Sequence, residues 1–140
     1  MVATNSNKNI SIALKTTAGI SYVIACFLPV FKGEDYIGIT ALARGWIGIL
    51  DIGPIFISWL ANIFFFMAFL PFNNKRTKLA LSIFSVVLGI SFLSIKKIPV
   101  SEGGQYDKVQ TGVAFYFWIF SFLALAVSNF IEYKKSQAKA

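Results

Sequence analysis

A chain of 140 residues that is 56% hydrophobic, 16% aromatic and only 14% charged cannot clothe a water-soluble surface, which takes roughly a quarter charged residues. Its length leaves no room for a separate soluble domain. Its net charge of +7 comes with no basic stripe interleaved with exposed aromatics, so nucleic-acid binding is set aside.

The order of charges divides the chain. Four stretches hold no Asp, Glu, Lys or Arg: Thr16 to Phe31, Ile52 to Asn74, Leu79 to Ile95 and Val109 to Ile131. A helix needs roughly 20 apolar residues to cross a hydrocarbon core of about 30 Å. The second and fourth stretches meet that length. The first and third fall short, and snorkelling of Lys15 and Lys96 extends them. The expected fold is therefore an all-α membrane protein, a four-transmembrane-helix bundle forming one domain over residues 1–140, with helices at about 10–31, 54–72, 78–96 and 110–132.

The N-terminal segment lacks the order of a cleavable signal peptide, so the first apolar block reads as a retained anchor. The first helix carries the small residues Gly19, Ser21 and Cys26, and Pro29 is expected to kink or end it. The loop that follows, KGEDYIGITALARGWIGIL, is too apolar to be solvated. Ile39, Leu42, Ala43, Trp46, Ile49 and Leu50 recur at helical spacing with Arg44 opposite. The segment over about 36–50 thus reads as a short interfacial helix with Trp46 at headgroup level, or as a re-entrant segment, since Gly38, Gly45 and Gly48 weaken a helix.

The second helix begins near Pro54, which suits a first turn. Asp51 stands just before it and reads as an outer helix cap. Asn62 falls near the middle of this helix, where an unpaired amide costs several kcal/mol, roughly, in hydrocarbon. It shares a stripe with Ser58 and is expected to bond to Trp118 or Ser121 of the fourth helix. The same residues, Ser58, Asn62, Trp118 and Ser121, are alternatively the lining of a pore formed by an oligomer. The third helix, with serines at 82, 85, 91 and 94 around Gly89, is built for close helix approach. The second outer loop, KKIPVSEGGQYDK, reads as a flexible turn. In the fourth helix the run FYFWIF faces all directions, so part of it meets lipid.

Basic residues set the expected orientation. The N-terminal segment, the NNKRTK loop and the C-terminal tail hold eight, against five in the two other loops, so both termini are expected in the cytoplasm. With no histidine, a single cysteine, no paired acids and no phosphate-binding glycine loop, enzyme, metal and cofactor readings have no residues to rest on.

The strings Gly-Trp-Ile-Gly at 45–48 and Trp-Leu-Ala-Asn at 59–62 resemble a pattern in small bacterial four-span membrane proteins. That resemblance covers the first outer loop and second helix, implies a bacterial inner membrane, and brings no activity. In size, basicity and span number the chain is also similar to immunity proteins against pore-forming bacteriocins and to some phage-defence membrane subunits. The functional expectation is a non-enzymatic protein acting through helix-face contacts, as a homo-oligomer or with a partner membrane protein. An oligomeric pore or channel and a lipid-binding protein using Leu42, Arg44 and Trp46 are its rivals.

Overall fold

The computed structural model describes residues 2–32, 36–47, 53–71, 74–99 and 106–138. Asp51, the expected cap, lies outside them, as do residues 48–50 of the apolar loop. Helix α1 runs Val2–Phe27, α2 Gly38–Arg44, α3 Gly53–Phe69, α4 Lys75–Ser91 and α5 Val113–Gln137. Single 3-10 turns follow α2 (Gly45–Ile47) and α4 (Phe92–Ser94). Among the described residues, three segments are long and apolar enough to cross a membrane: Lys8–Phe27, Lys75–Ser94 and Val113–Gln137. The α3 helix is apolar but shorter, held between the first-turn proline and Pro71.

Local chemistry sets the ends. The α1 helix stops two residues ahead of Pro29, whose ring excludes the preceding residue from helical backbone angles. Asn74 caps α4, its side-chain oxygen accepting from the N–H groups of Arg76 at 3.0 Å and Thr77 at 3.4 Å. The first turn of α5 has no side-chain cap. Instead the strand-like segment after α1 supplies the acceptors: Gly112 N–H bonds to Val30 O at 2.6 Å and Ala114 N–H to Pro29 O at 3.1 Å. The described ends of the segment between α4 and α5 form strands. Lys97–Pro99 (β1) and Tyr106–Lys108 (β2) pair antiparallel at the base of the loop.

The long helices pack in the order α1, α5, α4, α3, with α2 laid across the C-terminal end of α1. Small residues make these approaches close. Ala18, Ala61, Ala68, Ala124, Ser82, Ser85 and Ser121 are buried, and Ser85 donates to the Ala61 carbonyl of α3 at 2.9 Å. A Cβ on Gly89 would lie 2.9 Å from Ile119 and Phe122, so only hydrogen fits where α4 meets α5. Tyr22 sits at the centre, stacked on Phe65 with ring centroids 4.8 Å apart. Large apolar side chains, among them Ile20, Phe27, Phe84, Val87, Tyr116 and Phe120, point outward. Such a surface belongs against lipid rather than water.

Candidate functional site

Beneath α2 the structure encloses a cavity of about 400 Å³, walled by α3, α4, α5 and the segment after α1. That volume is within the range of small-molecule pockets. Two contacts hold α2 over it. Trp59 donates its indole N–H to the Leu42 carbonyl at 2.8 Å, and a side chain at Gly45 would run into the Trp59 ring. Gly38 abuts the Ala25 carbonyl too closely for any Cβ, and its N–H bonds to Leu28 O at 2.9 Å. The two strings singled out in sequence thus meet here, Gly45 of one against Trp59 of the other.

The described part of the apolar loop is helical, as one of its two readings expects, in α2 and the 3-10 turn that follows it. Leu42 turns inward onto the core, while Ile39 and Trp46 are exposed. Arg44, also exposed, stands at the cavity rim. The reason is Trp59, whose bond and ring fix the rotation of α2.

Ser58, Asn62 and Trp118 all line the cavity, but their bonds differ from those expected. Asn62 accepts from the Tyr22 hydroxyl at 2.8 Å and donates to Trp59 O at 3.0 Å, so its partner is α1 and not α5. Ser121 turns back on its own helix, donating to Trp118 O at 2.8 Å. Ser58 shares a hydrogen bond with Ser91 of the neighbouring helix at 2.9 Å. The buried Trp118 indole N–H has no partner among the described residues. Asn62 and Trp118 line the same cavity, but rotation about the helix axis turns the amide to Tyr22.

The cavity ends in an aromatic series. Phe31 stacks on Tyr36 and on Phe92, each at 6.0 Å, and Phe92 stacks on Phe115 at 5.4 Å. Burial pushes the Tyr36 phenol above its ordinary pKa, with nearby Arg44 offsetting part of the rise.

A second polar cluster joins α1, α4 and α5 at the end of the bundle that carries the termini. Glu132 pairs with Lys15 and with Lys75, the latter at 3.1 Å, and accepts from Ser11 at 2.9 Å. Ser11 and Ser128 hydroxyls lie 2.9 Å apart. Lys78 is only 4% exposed, and Asn129 reaches its carbonyl at 3.4 Å. Lys15 and Glu132 each border a charge-free run, at its start and at its end, and both lie inside their helices, α1 and α5. Side chains lean toward their own helix N-terminus, and in this antiparallel pair they lean toward each other. That lean is the signal by which the pair is legible.

Compared with protein-family models, curated proteins and solved structures, the chain matches none.

Proposed function

We propose that this protein is a four-span bundle, with both termini cytoplasmic, that binds a lipid-like amphiphile in the cavity beneath α2. The α3 helix serves as the fourth span. At 17 residues it is about 25 Å long, a mismatch that local thinning of the bilayer accommodates. Eight basic residues on the termini side against five opposite support the orientation. A compartment reporter fused to either terminus should be active only in the cytoplasm.

The cavity carries the binding reading. It is mainly apolar, lies at the α2 end of the bundle, and has a few polar groups gathered on one side, the usual build of a small-molecule site. The rival pore needs free polar side chains along a continuous path. Asn62, Ser85, Ser121 and Ser128 all spend hydrogen bonds within the chain, which favours binding over conduction. Trp59 and Trp118 line the cavity, so a bromine-labelled amphiphile should quench their fluorescence saturably in the purified protein. Filling the space with Ala41→Phe, in protein whose helical content is unchanged, should abolish that quenching. Quenching that survives the filling overturns the reading.

A second reading, helix-face contact with a copy or partner, is favoured by one observation: the outward surface is densely aromatic, with Phe27 and Tyr116 the most exposed of its large side chains. Stable co-purification of a partner that Phe27→Ala or Tyr116→Ala releases would support it.

A further inference from the structure

Each polar group left unspent around the cavity carries an N–H or O–H donor. Arg44 makes no ion pair among the described residues and brings five N–H groups to the rim. The Tyr36 hydroxyl makes no hydrogen bond there, and the Trp118 indole N–H, buried in the wall, has no acceptor. The acceptors nearby are already engaged: Asn62 Oδ1 by Tyr22 and Leu42 O by Trp59. Arg44 ends α2, where a cation suits the helix dipole. That role uses its charge in a helix of only seven residues and leaves its N–H donors free.

We propose that the cavity selects a single-chain amphiphile with an anionic head, a carboxylate or phosphate monoester, held at Arg44 and Tyr36 with its chain running inward past Gly89 and Ile119. The proposal rests on the reading of the cavity as a binding site and adds the chemistry of its occupant. Free donors beside a positive charge are matched by a partner that brings acceptors, and that charge makes an anion the best of these. The walls behind the rim are mainly apolar, so they favour an ion that brings a hydrocarbon tail over one without it.

The test uses the full chain with Trp46→Phe, which removes the exposed indole outside the cavity, in nanodiscs of a neutral lipid. Three brominated probes of equal chain length are titrated: a fatty acid at a pH where it is ionised, an alkyl phosphate and a fatty alcohol. At least one anionic probe should quench about tenfold tighter than the alcohol, the scale of a charge-assisted hydrogen bond. Arg44→Gln should erase that preference and leave alcohol binding unchanged, and Tyr36→Phe should weaken the anion severalfold. The tighter of the two anionic probes identifies the head. Equal affinity for acid, phosphate and alcohol overturns the anion proposal while the cavity still binds. No saturable quenching by any probe overturns the binding reading itself.

Discussion

The Tyr22 hydroxyl donates to Asn62 Oδ1 at 2.8 Å across the interface of α1 and α3, and the same amide donates to Trp59 O at 3.0 Å. One side chain therefore ties α1 to α3 and steadies the turn bearing the indole that holds α2. Each polar atom answers another, so the chain places an amide deep in an apolar bundle without leaving it unpaired.

Breaking this pair from either side should destabilise the fold. Tyr22→Phe leaves the Asn62 oxygen without its donor, and Asn62→Leu strands the hydroxyl. Each should lower stability by about 1 kcal/mol, the scale of interhelical hydrogen bonds in membranes. The double variant should lose less than the two single losses added together, read by unfolding in mild detergent. Fully additive losses would show that the two side chains do not interact. Because Asn62 has its partner within the chain, Asn62→Leu should leave the oligomeric state unchanged.

Glu132→Gln tests the termini-side cluster. The carboxylate answers Lys15 and Lys75 and sits near the buried Lys78, so its loss leaves three ammonium groups without a counter-charge. About 2 kcal/mol of stability should go, the scale of a hydrogen bond to a charged group. Adding Lys15→Gln to Glu132→Gln should recover part of it by relieving the repulsion. If the double variant is no more stable than Glu132→Gln, the repulsion is not what destabilises it.

Gly89→Leu should separate α4 from α5. Its side chain would enter space held by Ile119 and Phe122, and overpacking of this kind costs roughly 1–3 kcal/mol. A cysteine cross-link engineered between the two helices should then form more slowly than in the parent. An unchanged rate would mean that the contact yields without strain.

Alkaline pH should act through Tyr36. Its pKa is raised by burial against a smaller opposing effect of Arg44, so the folded state holds the phenolic proton more tightly than the unfolded chain does. The resulting stability is complete below the ordinary tyrosine value of about 10 and is lost as pH rises through the higher folded value. Comparing pH-dependent unfolding of the parent with Tyr36→Phe isolates the contribution. A Tyr36 phenolate absorbance that appears at the ordinary value would contradict it.

Charge-free runs between Lys and Arg clusters specified apolar helical segments, because hydrocarbon admits a backbone only when its hydrogen bonds close locally. Pro29, Pro54, Pro71 and the serines of α4 likewise announced ends and close approaches by rules that hold within a few residues. The helix spacing within the 36–50 segment was legible over Gly38–Ile47 for the same reason. What sequence could not supply was rotation and overlap between elements. Leu42 turns inward because Trp59 grips its carbonyl, Asn62 meets Tyr22 rather than α5, and Lys15 reaches Glu132 across 117 positions. The cavity belongs to no segment; it is the space left when α2 is held above three helices whose side chains do not fill it. Local rules name the pieces, whereas a cavity and its donor-lined rim exist only once those pieces are packed.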